Sequence, residues 1–287
     1  MNTALIILNY NDAGRTSSLA LAAAAFENLT KIVIVDNCSD DDSFEKLSEL
    51  RSDKIHVIKS PSNGGYAKGN NFGCLYALKN FKSEILFIAN PDVAFDNDTV
   101  CAMASILIRH PEYGVCAPLV RQGYNVWRLS SYIGIIESLF LLWFTLDKKI
   151  IRRKILSSKS QVIPVGVVEG SFFALSANAY KKAKGFDERT FLYAEEVILA
   201  RRLKSAGFEE VVLRDFRYDH LHSASIKKKY HSSKAKAFHN FIKSFKIYNR
   251  YYLHTNALQD IIFDYASLLA YAERIIYDLI MNIKSKL

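Results

Sequence analysis

The chain has 287 residues, 50% of them apolar and 23% charged, which is enough for one large domain or one domain with a substantial appendage. This apolar content excludes intrinsic disorder, and 12 glycines with 5 prolines exclude collagen-like and low-complexity chains. The net charge of +9 favours phosphate-bearing partners, namely nucleic acids, membrane headgroups or phosphorylated metabolites.

The cysteine content and the N-terminus indicate a location. The chain has 4 cysteines but no CxxC or CxH pair, so neither a zinc cluster nor a disulfide framework is predicted. The N-terminal apolar run, residues 4–8, lacks the basic region and cleavage site of a signal peptide. We therefore expect a reducing, cytoplasmic compartment.

Short apolar runs alternate with helical patterns over the first 110 residues. Strands are predicted at 3–10, 31–35, 54–59 and 85–89. Helices are predicted at 16–26, 43–50, 69–80 and 98–110, the last capped by Asp98. This alternation is typical of a parallel sheet with helices on both faces.

A polar cluster follows each predicted strand. These clusters are residues 9–12, 36–41, 61–65 and 90–92. Ligands of such sheets bind beyond the carboxyl ends of the strands, so we expect all four clusters to meet in one crevice.

The most apolar stretch, residues 132–146, has only 15 residues and contains Glu137. A membrane-spanning helix needs about 20 apolar residues, so this stretch is not expected to cross a bilayer. Two interpretations remain open: a buried helix, or a helix resting on anionic headgroups. The second is favoured by the basic residues that follow, which are Lys148, Lys149, Arg152, Arg153 and Lys154.

Several short motifs in fixed order resemble one known family. They are residues 6–11, 34–41, 63–73, 90–93, 169–173, 185–188 and 191–196, followed by His220 and Ser225. Together they resemble family 2 glycosyltransferases with the GT-A fold, in the branch that contains bacterial rhamnosyltransferases and other O-antigen or capsule enzymes.

The resemblance implies a GT-A fold, a mixed and mostly parallel α/β sheet flanked by helices. We expect a nucleotide-sugar-binding and catalytic domain at residues 1–225, with a helical insertion at 128–160. A basic, amphipathic helical extension is expected at 226–287. The implied reaction is inverting transfer from dTDP-rhamnose or a UDP-sugar to a saccharide or a polyprenyl-diphosphate-linked acceptor.

A divalent cation, Mg²⁺ or Mn²⁺, is expected to neutralise the departing diphosphate. Asp92 follows a strand directly and is the expected ligand, and the resemblance adds His220. The family often has Asp-x-Asp here, whereas this chain has Asn90-Pro91-Asp92. One carboxylate is expected to hold a cation less tightly than two.

The donor is expected at the strand ends, where the resemblance assigns a nucleoside contact to Asp36. Tyr10 is expected to pack against the base, and the glycines of residues 63–73 to allow close approach of phosphate or ribose. Lys68 would offset diphosphate charge. The other donor-side candidates are Asn9, Asn63, Asn71 and Asn90, and the acceptor-side candidates are Gly170, Ser171 and Asp187.

Glu195 and Glu196 begin a predicted helix at residues 195–206. The family has Glu-Asp here, with the second acid as general base, and often another Asp where this chain has Ile198. The longer glutamate leaves the base assignment open between Glu196 and Glu195, and leaves open a catalytically impaired homologue. Two acids at a helix N-terminus would also favour the helix dipole without any catalysis.

The C-terminal third is basic. Residues 220–259 contain no Asp or Glu and eight basic residues, which are Lys227, Lys228, Lys229, Lys234, Lys236, Lys243, Lys246 and Arg250. A second helical pattern runs through Leu258, Ile261, Tyr265, Leu268, Ala272, Ile275 and Leu279. We expect two helices that pack on the catalytic domain. Peripheral docking on the inner face of the cytoplasmic membrane is the alternative.

Two other functions fit parts of the sequence. A nucleotidyltransferase also uses a strand-end aspartate and a metal, but it favours a glycine-rich, basic loop after the first strand, where this chain has residues 9–12. A nucleic-acid binder fits the pI of 9.2, but acid-rich strand ends would repel phosphates. We therefore expect no nucleic-acid partner, and the patterns favour no particular oligomeric state.

Overall fold

The computed structural model describes residues 1–221 and 234–284. Ser225, the basic residues 227–229 and the expected boundary between residues 225 and 226 lie outside these ranges. In the described residues, the fold is built on a nine-stranded mixed sheet with a hydrophobic core on each face.

The N-terminal half of the sheet is parallel. Its strands are β1 (Thr3–Asn9), β2 (Lys31–Asp36), β3 (Ile55–Lys59) and β4 (Ile85–Ala89), in the spatial order β3-β2-β1-β4. Its helices are α1 (Ala13–Ala24), α2 (Ser43–Ser48), α3 (Gly65–Phe81) and α4 (Asn97–Arg109). Helices cover both faces, so continuous apolar runs such as β2 are buried along nearly their whole length.

The cap of α4 differs from the prediction. Asp96, not Asp98, accepts the N–H of Thr99, at 2.7 Å. Asp96 has the extended backbone that a capping residue needs, whereas Asp98 already lies within the first turn.

The other half of the sheet contains strands of both directions. They are β5 (Val93–Ala94), β6 (Tyr113–Val120), β8 (Val162–Val165), β10 (Phe172–Ser176) and β11 (Glu209–His220), and a separate pair is formed by β7 (Val126–Trp127) and β9 (Val167–Val168). β10 runs antiparallel between β4 and β6, and β11 runs parallel to β6. The reversal at β10 is the feature that the strand–helix alternation did not predict.

The apolar stretch at residues 132–146 forms parts of two helices. These are α5 (Tyr132–Leu139) and α6 (Leu141–Leu156), and they are separated by the extended residue Phe140. α5 buries Ile135 and Leu139. Among the described residues, no helix has the length and apolar content needed to cross a bilayer.

The remaining helices, apart from the first of them, build a third core. They are α7 (Ala177–Lys182), α8 (Glu195–Ser205), α9 (Lys234–Tyr248) and α10 (Ala257–Lys284), with a π-helical turn at Asn249–Leu253 between the last two. Side chains of α5, α8, α9 and α10 pack together there. The predicted packing of the second C-terminal helix is wrong in one respect, because its apolar stripe from Leu258 to Leu279 is exposed and α10 packs through another face.

Ile198 lies in this third core and is fully buried. The chain therefore has a packing residue at the position where the family often has an aspartate.

Ile198→Asp should lower the free energy of unfolding by at least about 3 kcal/mol, because it buries a carboxylate without a partner. Ile198→Val, the matched control, should cost only about 1 kcal/mol. Urea denaturation followed by circular dichroism measures both. Equal stability of the Asp and Val variants would contradict the burial of residue 198, because it would show that water reaches this position.

Candidate functional site

The carboxyl ends of the parallel strands meet at one edge of the sheet. β10 runs the opposite way beside β4, so its start lies at this edge, and the N–H of Asn90 donates to the carbonyl of Ser171 at 2.8 Å. β11 also ends here, where His220 pairs with Val93. This edge gathers all four predicted polar clusters together with residues 169–171.

Asp92 and His220, the two predicted metal ligands, lie side by side. His220 Nε2 is 3.3 Å from Asp92 Oδ1, and the side chains are 7% and 14% exposed respectively. The N–H of Leu221 donates to the carbonyl of Asp92 at 2.7 Å, which ties the two segments together. Burial opposes a charged imidazole, but the hydrogen bond and charge of Asp92, with the charge of Glu169, raise the pKa of His220.

Glu196 lies in the first turn of α8 and is partly exposed. Its Oε1 accepts the N–H of Gly170 at 3.1 Å, and the carbonyl of Gly170 accepts the hydroxyl of Tyr66 at 2.6 Å. A Cβ at Gly170 would lie 2.7 Å from the hydroxyl of Tyr66 and 2.8 Å from Glu196 Oε1, so any larger residue here would displace these two side chains. Burial raises the pKa of Glu196, and the backbone hydrogen bonds offset this in part.

Glu195 points into the protein. It is 2% exposed, and its Oε1 has no hydrogen-bond partner among the described residues. Burial, with the charge of Glu196, raises its pKa. Just before it, Tyr193 and Ala194 have φ values of 74° and 64°, a conformation that costs non-glycine residues about 1 kcal/mol each and is found at functional sites.

Glu169 is a further acid at this edge that we did not predict as a site residue. Burial raises its pKa to about 7; the charges of Glu196 and Asp92 add to this effect, while His220 and Lys148 oppose it. It precedes the Gly170 turn, so the motif at residues 169–173 marks it in the sequence. Lys148, on α6 of the insertion, brings a cation to the same place.

Some predicted donor-side residues lie at the surface of this edge. Tyr10 is 46% exposed, and Asn63, Lys68 and Asn90 are partly exposed. Asn63 also shapes its loop. Its Oδ1 accepts the backbone N–H of Gly65 and the side-chain amide N–H of Asn37, each at 3.1 Å.

Asn9 and Asp36 lie beneath the surface, both 0% exposed. Asp36 accepts the amide of Asn9 at 3.0 Å and both the hydroxyl and the N–H of Ser39, while Asn9 accepts the hydroxyl of Thr16 at 2.9 Å. These side chains join β1 to the loop after β2. In this structure they support the edge from below and do not line it.

Three glycines of residues 63–73 have packing roles in the structure. Gly65, Gly69 and Gly73 lie one turn apart on α3. A Cβ would lie 2.4 Å from Leu8 at Gly69 and 2.6 Å from Ile6 at Gly73. These two glycines let α3 pack closely on β1. Gly65 has a φ of +81°, and a Cβ added there would lie 2.0 Å from the carbonyl oxygen of Phe191, in the loop before α8.

Asn71 is also structural. Its amide N–H groups donate to the carbonyl of Phe186 and to Glu188, and its oxygen accepts the hydroxyl of Tyr180 and the N–H of Phe186, at 2.9–3.0 Å. These four bonds use its whole capacity. The prediction that Asn71 binds the donor is therefore corrected, because it holds α3 to the loop before α8.

Two predicted acceptor-side residues are buried as well. The hydroxyl of Ser171 is 2.6 Å from that of Tyr218 inside the core, and Ser171 is 1% exposed. Asp187 is 3% exposed and pairs with Arg189 and Arg202. Both predictions are corrected to supporting roles, and Gly170 alone of the three contacts a partly exposed acid, Glu196.

Asp187 joins the loop before α8 to the π-helical turn between the last two helices. Its carboxylate accepts the hydroxyl of Tyr252, which in turn accepts an N–H of Arg202 at 2.8 Å. Burial opposes its charge, but the hydrogen bonds of Arg189 and Tyr252 with the charge of Arg202 lower its pKa to about 2. One residue earlier on α8, Arg201 bonds the hydroxyl of Tyr248 at 2.8 Å.

Comparison with known proteins identifies a family. The model described as "Glycosyl transferase family 2" matches residues 5–182. The low-salt glycan biosynthesis hexosyltransferase Agl10 of Haloferax volcanii is 27% identical over 207 residues, which are 70% of this chain and 61% of that protein. The N-acetylglucosaminyl-diphospho-decaprenol L-rhamnosyltransferase of Mycobacterium tuberculosis is 26% identical over 207 residues, 67% of each chain. The chain thus spans about two thirds of the length of these relatives.

Solved structures share the fold. The mannosyltransferase PcManGT of Pyrobaculum calidifontis, in complex with GDP-Man and Mn²⁺, has a TM-score of 0.59 at 16% identity, covering 95% of this chain and 73% of that chain. GalNAc-T7 with UDP, GalNAc and Mn²⁺ has a TM-score of 0.60 at 12% identity, covering 77% and 44%. These similarities confirm the predicted GT-A fold.

Asp187→Asn should lower the free energy of unfolding at neutral pH by about 2 kcal/mol, because the lowered pKa measures how strongly the fold favours the charged form. The wild-type protein should lose this contribution as the pH falls from the ordinary 3.8 towards about 2. The variant should lack that part of the acid transition. Asp215→Asn, which removes an exposed partner of Arg214, should change the stability by less than about 1 kcal/mol. Denaturant titrations across this pH range measure the free energy of unfolding of both variants. Equal losses of stability in the two variants would contradict the stabilising role of the Asp187 carboxylate.

Proposed function

Because this chain belongs to glycosyl transferase family 2, we propose that it transfers a sugar, with inversion, from a nucleotide-diphosphate sugar to a saccharide or lipid-linked acceptor. The observation that carries this proposal is the convergence of Asp92, His220 and Glu196 on one edge of the sheet. Transfer needs a neutralised leaving group and a base aligned on opposite sides of the anomeric carbon. Groups for both tasks are present here.

On the donor side, Tyr10 offers an exposed ring for the base, and Lys68 a cation for the diphosphate. Asn9 and Asp36 act indirectly, by holding the backbone that carries Tyr10. The donor we propose is dTDP-rhamnose or a UDP-sugar. The relative named as an L-rhamnosyltransferase supports the first of these.

The donor set at Asp92 and His220 fits a divalent cation. A carboxylate oxygen and an imidazole nitrogen lie 3.3 Å apart, with Asp92 partly exposed and His220 largely buried, and both are ligand types that Mn²⁺ accepts. In the part of the chain that the structure describes, no three His, Cys, Asp or Glu side chains are placed so that they could hold a metal ion by themselves. We propose that these two residues hold Mg²⁺ or Mn²⁺ and that phosphate and water supply the other ligands. When bound, the ion would stabilise the charge that develops on the departing diphosphate.

Glu196 is the proposed general base. It is the member of the acid pair that reaches the surface, whereas Glu195 is buried. A raised pKa suits a base that takes a proton from a hydroxyl near neutral pH. The bond from Gly170 fixes one carboxylate oxygen and so orients the group.

We propose a lipid-linked acceptor and a peripheral membrane contact through α6. The outer side of α6 exposes Trp143 and Ile150 at 55% and 57%. Arg152 and Arg153 are exposed on the same helix. Apolar side chains beside cations suit an anionic lipid surface. Lys148 of this helix interacts with Glu169, so such a contact would bring the site to the membrane.

Two variants test the site. Glu196→Gln should reduce kcat at least about 100-fold, because the proposed base is removed, and should keep the thermal stabilisation by UDP or dTDP with Mn²⁺. Asp92→Asn should lose that metal-dependent stabilisation. Glu195→Gln is the matched control and should keep more activity than Glu196→Gln. The proposal fails if no nucleotide diphosphate stabilises the wild-type protein with either metal.

Vesicles test the membrane contact. The fluorescence of Trp143 should shift to shorter wavelength with anionic vesicles and not with neutral ones, because the ring enters the interface. The pair Arg152→Gln and Arg153→Gln should weaken binding about 10-fold or more, at roughly 1 kcal/mol for each cation. The pair Lys181→Gln and Lys204→Gln removes the same charge from exposed sites elsewhere and serves as control. If both pairs of substitutions weakened vesicle binding equally, binding would depend on the net charge of the protein and not on a contact through α6.

A further inference from the structure

Helix α10 has two apolar faces. Phe263, Ala266 and Ala270 form the inner face and are buried in the third core. The helix is held there by its polar groups as well: Arg274 donates to the carbonyl of Leu139 at 2.6 Å, and Glu273 accepts the N–H of Leu141 at 3.1 Å. The second face, which we call the outer stripe, points away from this core.

The outer stripe is long and exposed. Its members are Leu258, Ile261, Ile262, Tyr265, Leu268, Leu269, Ala272, Ile275, Ile276 and Leu279. Leu258, Ile261, Tyr265 and Leu268 are each 64–66% exposed. The stripe exposes on the order of 900 Å² of side-chain surface, more than the largest patch of a typical monomer, about 300–600 Å².

The stripe follows a seven-residue repeat. Leu258, Tyr265, Ala272 and Leu279 occupy one position of this repeat, and the other six members are the third and fourth residues after the first three of these. Three repeats with this spacing are typical of a helix that pairs with another helix along its length.

We propose that the outer stripe binds the outer stripe of a second copy of this chain, as an antiparallel pair of α10 helices about a two-fold axis. The repeat reads the same in both directions about a point between Leu268 and Leu269. Antiparallel pairing therefore sets Leu258 against Leu279 of the partner subunit, and every other member against an apolar side chain. A two-fold axis requires such self-complementarity.

Side-chain size favours the antiparallel direction. It sets the large Tyr265 against the small Ala272 of the partner subunit, on both sides of the axis. Parallel pairing would set tyrosine against tyrosine and alanine against alanine, leaving one crowded layer and one void, and both defects are destabilising.

Charge favours a second copy over a membrane. The helix carries four acids against two bases: Asp260, Asp264, Glu273, Asp278, Arg274 and Lys284. Anionic headgroups would repel the net negative charge of this helix, whereas helices that lie in a membrane interface carry Lys and Arg on the polar face. Lys246 pairs with Asp264 at 2.6 Å, which reduces repulsion along the edge of the stripe. The exposed area also matches the ~800 Å² per partner of a standard interface.

Light scattering after size exclusion tests the pair. The wild-type chain at micromolar concentration should have twice its mass of 32.6 kDa. Leu268→Glu should give a monomer, with at least a 100-fold weaker dimer, because it buries a carboxylate at the axis. Leu21→Glu, at an exposed leucine of α1, is the matched control and should remain dimeric. Unchanged thermal melts would show that both variants fold.

Cysteine cross-linking tests the direction, in a background with Cys38→Ser and Cys101→Ser. Leu258→Cys together with Leu279→Cys should form cross-linked dimers, and each change alone should not. A monomeric wild-type protein, or a dimer that survives Leu268→Glu, overturns the proposal. Cross-linking by Leu258→Cys alone overturns the antiparallel arrangement. If the wild-type protein is a monomer and Leu268→Glu loses binding to vesicles, the outer stripe binds lipid and not a second copy.

Discussion

One reversed strand, β10, brings the residues of the candidate site to the same edge of the sheet. β10 enters the sheet antiparallel to β4, so it begins where the parallel strands end. The hydrogen bond between Asn90 and Ser171 joins the two segments, and Gly170 then meets Glu196. Without that reversal, the segment before β10 would lie at the opposite edge of the sheet, far from Asp92. The placement of the proposed base and the proposed cation site at the same edge follows from this topology.

The same edge concentrates acidic groups in a region of low dielectric. Glu169, Glu195 and Glu196 are each shifted towards the neutral form by burial. Such a cluster is costly and needs a rigid support. α8 receives it from the C-terminal helices, through the contacts of Arg201 and Arg202 with two tyrosines and through the third core. The C-terminal helices are therefore part of the support of the candidate site, which explains why Ile198 is apolar.

Much of the site could be predicted from motifs, but the role of each side chain could not. Asp92 and His220 are far apart in sequence and adjacent in the structure. Asn71 and Asp187 belong to other motifs of the same set, yet internal hydrogen bonds occupy their polar atoms. A motif records that a polar side chain is needed and does not distinguish a ligand contact from a buried bond. That distinction depends on partners such as Tyr180 and Tyr252, which lie outside the motif.

The sequence alone determined the strand–helix alternation, the buried parallel strands and the family, because periodicity and short motifs are local properties. It also determined the repeat on α10, whose spacing is visible in the letters. Only the tertiary structure decided which side chains reach the surface of the site, and that this repeat faces away from the core. Exposure depends on what packs against a residue, and those neighbours come from distant parts of the chain.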